Sequence, residues 1–334
     1  MTNKAVNEIS TQNVESSTAP KNNGATIDQR LLLIASQINT VEGWQEFINQ
    51  YYEVFCAVLA KLETKVDNKD VSNQKPIAVI TGGQPGAGKS ALIATYKSIL
   101  EEQYGIKPVI NNADFYRFCV PGSYKIATDF PESASRLTDP VVKLMRKNLM
   151  EESIAQGQSI IIENTLGDTI AFDRMSQSPV HDIWLALMAV PREESLLSDF
   201  ERYIKMKDAC DVARLVSVEA HDKRYYALDK IASKLENKGV RTIVHSRGKT
   251  EEDFAVVEYD SAEANKKYAN VVDAMSQVRA KKFKEAVPTF PERLKTIRQR
   301  MEEFGMTPDE EAELEKLEEV IGIAITKEKE RGER

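Results

Sequence analysis

Gly83-Gln84-Pro85-Gly86-Ala87-Gly88-Lys89-Ser90 carries all four fixed positions of the G-x-x-x-x-G-K-[ST] phosphate-binding loop. Its surroundings fit the motif. Ile77-Ala78-Val79-Ile80-Thr81 is a short apolar, β-branched run that reads as a buried parallel strand. Ala91 to Leu100 then places apolar residues at helical spacing. Strand, glycine-rich loop and helix in that order let backbone N–H groups crowd around a polyphosphate, and the helix N-terminus adds partial positive charge. Residues Gly83 to Ser90 form the expected cradle, with Lys89 reaching the β/γ-phosphates and the Ser90 hydroxyl on Mg²⁺. The motif points to a purine nucleoside triphosphate, with ATP and Mg²⁺ as the expected cofactors.

Working outward, the strand after the P-loop helix reads Val109-Ile110-Asn111-Asn112-Ala113-Asp114-Phe115, so Asp114 falls just past a strand end. In an open α/β sheet, ligands bind at the carboxyl ends of the strands. Asp114 is therefore read either as the carboxylate that orients an acceptor hydroxyl or as a helix N-cap or turn aspartate. Ile160-Ile161-Ile162-Glu163-Asn164-Thr165 repeats the pattern with Glu163 and Thr165, and a structural ion pair is the competing role for Glu163. Arg202 and Arg214 lie in later, polar segments whose arginines are ordinarily solvated. His221 is one of three histidines, and a structural role is the expectation for it.

The chain of 334 residues has a net charge of −7, which argues against a general nucleic-acid binder. Phosphate recognition must rest on local cations. Cys56, Cys119 and Cys210 lie far apart, form no C-x-x-C pair, and are expected to be reduced, buried and inert. The polar N-terminus lacks a basic stretch followed by an apolar core, and no apolar run approaches the length of a membrane span. The expectation is a soluble, cytoplasmic protein without nucleic-acid or membrane partners.

Composition divides the chain into four stretches. Residues 1–26 are polar and expected to be disordered. Residues 27–75 hold two amphipathic helices and a linker, with Trp44, Phe47, Tyr51, Phe55, Val58 and Leu62 on one stripe. Residues 76–262 alternate strand runs (Ile77–Thr81, Val109-Ile110, Ser159–Ile162, Ile183–Val190, Thr242–His245) with helical patterns. This alternation predicts an α/β kinase-type domain with a mostly parallel sheet flanked by helices. Residues 263–334 read as a charged helical extension broken at Val287-Pro288-Thr289-Phe290-Pro291.

From Gly82 to Ser90, and then in order through Asn112–Phe115, Ile162–Thr165, Met188–Pro191, Glu201–Tyr203, Ala213-Arg214 and Ala220–Asp222, the chain resembles the zeta toxins of epsilon/zeta toxin–antitoxin systems. A weaker match runs through Pro288-Thr289 and Glu292–Leu294, so the resemblance covers roughly residues 76–320. It implies a kinase that transfers the ATP γ-phosphate to the 3′-hydroxyl of the sugar in UDP-N-acetylglucosamine, blocking cell-wall precursor synthesis. By the same resemblance, Asp114 is the general base, Lys89 the P-loop lysine and Ser90 the magnesium-binding hydroxyl. Arg202 and Arg214 embrace the γ-phosphate, and Glu163 and Thr165 face the substrate. Two departures touch the acceptor side. Asn164 and Gly167 stand where the family often has a glycine and an arginine, and Lys147 stands where it has a sugar-site glutamate. The alternatives left open are a kinase for another nucleotide-like acceptor (another UDP-sugar or a nicotinamide dinucleotide) and a non-catalytic ATP-dependent regulatory protein. The resemblance also implies a small helical antitoxin partner. Residues 27–66 are suited to act as one in cis, or to serve as family-typical helices capping the sheet.

Overall fold

The computed structural model describes residues 75–120, 123–129, 134–209, 213–248, 255–263 and 267–332. The N-terminal amphipathic stripe and the three cysteine side chains lie outside the described residues. In chain order the elements are β1 (Ile77–Gly82), α1 (Lys89–Tyr104), β2 (Val109–Asn111), α2 (Ala113–Cys119), α3 (Ser123–Asp129), α4 (Ala134–Gln156), β3 (Ile160–Ile162) and α5 (Ile170–Met175). They continue with β4 (Asp182–Met188), α6 (Arg192–Asp208), α7 (Val218–Glu236), β5 (Arg241–Arg247), β6 (Ala255–Asp260), α8 (Val271–Ala286), a 3₁₀ turn (Val287–Thr289), α9 (Phe290–Phe304) and α10 (Pro308–Gly332). Contacts group the described residues into two units: one holds those within 112–152 together with 213–214, and the other holds those within 75–111, 153–209 and 215–332.

The second unit holds a six-stranded sheet in the order β2-β3-β1-β4-β5-β6. The first five strands are parallel, and β6 returns antiparallel to β5. Every residue of β1 is buried, as expected for a parallel strand covered on both faces. Ile80 of β1 is level with Ile162 of β3, and Gly82 with Leu187 of β4, so the ends of three central strands come out at one edge. The chain moves to β3 on one side of β1 and to β4 on the other. The carboxyl end of β1 is thus a topological switch point, and the P-loop begins there.

The five expected strands form where β-branched runs occur. β6, with the sequence Ala-Val-Val-Glu-Tyr-Asp, has no counterpart among the expected strands. It is an edge strand whose outward valines and acidic residues blur the alternation that periodicity relies on. The core packs α1 against the sheet through Leu92, Ile93, Tyr96 and Leu100, which meet Val79, Ile161, Trp184 and Met188. The C-terminal helices α8 to α10 belong to this unit, and the 3₁₀ turn at Val287–Thr289 falls at the expected proline break.

The first unit contains α2, α3 and most of α4. Asn112 caps α2, its side chain accepting from the N–H groups of Asp114 (2.8 Å) and Phe115 (3.4 Å). The capping role considered for Asp114 therefore belongs to Asn112. Arg117 ties α2 to α4 through Asp139 (2.9 Å) and Thr138.

Candidate functional site

The P-loop runs from the end of β1 into α1. Gly86 and Gly88 have φ of 71° and 95°, in the left-handed region where a side chain would be strained. At Gly86 a Cβ would also sit 2.0 Å from the Ser195 carbonyl oxygen, because the loop's apex lies against the first turns of α6. Gly88 precedes α1 without supplying a side-chain cap. The Ala91 N–H donates to the Gly88 carbonyl at 3.0 Å, and the positive end of the helix dipole at this N-terminus suits an anion. Lys89 is buried, with its Nζ 3.2 Å from the Gln84 carbonyl, so its ammonium bends back over the loop it follows. This backbone cradle and its lysine fit a nucleotide polyphosphate.

Ser90 is exposed in the first turn of α1. Among the described residues no group of three or more His, Cys, Asp or Glu could hold a metal unaided. Ser90 fits the role of one hydroxyl ligand to a Mg²⁺ whose other ligands are phosphate oxygens and waters.

A buried hydrogen-bond chain underlies the loop. Gln84 Nε2 donates to the Val190 carbonyl and to Ser195 Oγ, both at 3.0 Å. Ser195 Oγ is 2.9 Å from His221 Nε2, and His221 Nδ1 is 3.2 Å from Asp222 Oδ1. Asp222 is gripped by Arg192 at 2.7 and 2.6 Å. Asp222 accepts only from a protonated Nδ1, so Nε2 is the acceptor for the serine proton. Burial pushes the His221 pKa down to about 4 and keeps the ring neutral. Burial pushes the Asp222 carboxyl up, but hydrogen bonds from Arg192 and His221 outweigh this and hold it below the usual range. Serine, histidine and aspartate thus occur in the order of a hydrolytic triad, yet Ser195 and His221 are fully buried. The chain is a strut that fixes Gln84, which agrees with the structural role expected for His221.

Arg247, at the end of β5, holds the loop from another side. Its guanidinium donates to the Ala87 carbonyl at 3.3 Å and to the Gly86 carbonyl, and it pairs with Glu194 at 3.1 Å. Sequence reasoning missed Ser195 and Arg247. Ser195 left no signal in an ordinary helical stretch, but Arg247 had one: it is a charged residue two positions past the Thr242–His245 strand run. A 570 Å³ cavity lined by Arg192, Val218, Asp222, Lys316, Glu319 and Val320 lies behind the strut and includes no P-loop residue.

Arg202 sits on α6, one turn beyond Asp199, whose backbone nitrogen approaches Gly86. Asp199 is 1% exposed and accepts from Arg202 Nη2 at 2.6 Å, which aims the guanidinium. The C-terminal helices grip the same helix. Arg293 of α9 makes a two-pronged pair with Glu201 (2.7 and 2.8 Å), and the buried Glu310 of α10 accepts from Lys207 (2.6 Å) and from the Tyr203 hydroxyl.

Glu163 and Thr165 are half-buried in the loop after β3. The loop begins with the Glu163 N–H donating to the Asn111 carbonyl at 2.9 Å. Asp114 and Arg214 belong to the other unit, where they form an ion pair at 2.6 Å. Lys147 pairs with Glu151 at 3.6 Å in a solvated i,i+4 arrangement.

The sequence profile of the zeta toxin family matches residues 62–264. The chain belongs to the zeta toxin family. Toxin zeta of Streptococcus pyogenes is 30% identical over 153 residues, covering 45% of this chain and 52% of that protein. Toxin PezT of Streptococcus pneumoniae is 27% identical over 135 residues, covering 40% of this chain and 52% of that protein. The chain thus spans about half the length of the curated zeta toxins it matches. A solved structure from the PezAT toxin–antitoxin system of S. pneumoniae superposes with a TM-score of 0.57 at 24% identity, over 75% of this chain and 96% of that one. The mostly parallel sheet with its P-loop at the switch point is therefore the zeta toxin fold. The match ends at residue 264, before α8 to α10.

Proposed function

We propose that this chain is an ATP-dependent small-molecule kinase that phosphorylates the 3′-hydroxyl of the sugar in UDP-N-acetylglucosamine. The observation that carries this reading is the arginine-held carboxylate, Asp114 with Arg214 at 2.6 Å, in a chain that also has a complete P-loop. A nucleotide switch needs the second and has no use for the first.

In this reading Asp114 takes the proton of the acceptor hydroxyl as its oxygen bonds to the γ-phosphorus. The bond from that phosphorus to the β–γ bridging oxygen breaks, and ADP leaves with the electron pair. Lys89 neutralises charge on the β/γ-phosphates, and Arg202 and Arg214 offset charge on the transferring group. Mg²⁺, held by Ser90, would supply further charge neutralisation at the phosphate oxygens. Glu163 and Thr165 bind the sugar nucleotide. A small helical antitoxin acting in trans, or residues 27–66 acting in cis, is the proposed inhibitory partner.

The test is incubation of the purified chain with ATP-Mg²⁺ and UDP-N-acetylglucosamine, followed by mass spectrometry for a product heavier by one phosphate. Lys89→Ala and Asp114→Asn should each abolish that product, and Asp114→Asn should still bind ATP. Full activity in Asp114→Asn would overturn the mechanism.

A second reading, transfer to a different nucleotide-like acceptor, is favoured by Gly167 and by Lys147, which sits in a solvated pair with Glu151. A bacterial metabolite extract separates the two readings. An Asp114-dependent mass shift on a metabolite other than a UDP-sugar would keep the kinase and replace its substrate.

A further inference from the structure

The loop between β3 and α5 is rigid. The Leu166 N–H donates to Asn164 Oδ1 at 2.7 Å, closing an Asx turn that leaves Leu166 at φ 51°. The Leu166 side chain is 1% exposed and packs where a Cβ on Gly82 would come within 2.6 Å of it. The loop carrying Glu163, Thr165 and Gly167 is thereby pinned against the residue that precedes the P-loop.

Arg224 lies across this loop. A Cβ at Gly167 would meet Arg224 Cδ at 3.1 Å and its Nε and Nη1 at 3.3 Å, so the guanidinium rests on the bare glycine backbone. Arg224 follows the buried His221 by three residues on α7, which puts both on the same helical face. Three other arginines of this unit each hold a carboxylate: Arg192 has Asp222, Arg202 has Asp199 and Arg247 has Glu194. Arg224 is half-buried and has no hydrogen-bond or ion-pair partner among the described residues. A partly desolvated fork of donors, held over a rigid loop and given no carboxylate, is an arrangement for an incoming phosphate.

We infer that Arg224 is a phosphate-binding residue of the acceptor site, taking the diphosphate of a nucleoside-diphosphate acceptor while the loop on which it rests takes the sugar. Gly167 is the opening that admits it. The inference rests on the acceptor reading above and adds the residue that recognises the acceptor's charge.

The test is calorimetric titration of UDP into the full chain saturated with a non-hydrolysable ATP analogue and Mg²⁺, for wild type, Arg224→Ala, Arg224→Lys and Gly167→Ala. Arg224→Ala should weaken UDP binding by about 10- to 100-fold, the range of one charge-assisted contact, and leave the affinity for the ATP analogue unchanged. Arg224→Lys should recover part of the loss, because a point charge replaces a fork. Gly167→Ala should weaken UDP in the same direction by displacing the guanidinium. If wild type and Arg224→Ala bind UDP equally, the inference fails and the kinase reading stands. If Arg224→Ala loses the ATP analogue instead, the guanidinium serves the donor and the inference fails. If wild type binds neither UDP nor UDP-N-acetylglucosamine, the inference falls together with the acceptor reading.

Discussion

Arg202 illustrates how one residue's role depends on what holds it. Its guanidinium is aimed by Asp199, a carboxylate that is 1% exposed and one turn back on the same helix. Arg202→Ala should lower kcat by on the order of 10³ and weaken ATP binding far less, since in the proposed mechanism its contact strengthens in the transition state. Rapid-quench turnover measured beside equilibrium nucleotide binding checks this, and a near-normal kcat would remove Arg202 from the chemistry. His221 makes a different demand. Its pKa is about 4 in the folded chain, against an ordinary 6.5, so the unfolded chain binds the proton more readily between those values. Stability from this group is complete above pH 6.5 and falls as pH drops toward 4, by up to about 1.4 kcal/mol per pH unit. His221→Gln should flatten the slope of unfolding free energy between pH 6.5 and 5, above the carboxylate range, and an unchanged slope would show that the strut does not control acid sensitivity. Asp114, Glu163 and Thr165 were legible as candidates because they follow apolar strand runs. Ser195 and Arg224 were not, since each is an ordinary helix residue until packing carries it to a loop distant in sequence.

At the scale of the element, α6 connects the P-loop to the C-terminal helices. Its first turns meet Gly86, its middle carries Arg202, and its far end is held by Glu310. Glu310 is 3% exposed and accepts from Lys207, the Tyr203 hydroxyl and the Thr307 N–H. Glu310→Ala would strand an ammonium and a buried hydroxyl, a loss of roughly 3 kcal/mol. Urea unfolding should show a lower midpoint with an unchanged slope, and a change under about 0.5 kcal/mol would mean α10 is not a brace. The helical character of α8 to α10 and the break at Val287–Thr289 were readable from charge pattern and proline. Their grip on α6 was not, because a buried glutamate within an acidic run looks in sequence like its solvated neighbours.

At the scale of the whole molecule, the parallel sheet was legible because fully buried strands write themselves as continuous Ile and Val runs. The one strand missed, β6, is the most exposed of the six, with only Tyr259 and Asp260 buried. β6 has a consequence for the protein in concentrated solution. Among the described residues it closes the sheet order with pairing to β5 alone, and Val256 and Val257 are 41% and 53% exposed along it. Main-chain donors and acceptors beside two bare valines form a template onto which another extended chain could add, and the charge on Glu258 is a local deterrent. The net charge of −7 adds long-range repulsion at neutral pH, and acidification toward the carboxylate range weakens both. Light scattering should therefore rise as concentrated protein is taken from pH 8 toward pH 5, and Val257→Lys should suppress that rise without changing the melting temperature at pH 8. If the lysine variant clouds as readily as wild type, the colloidal weakness lies elsewhere on the surface.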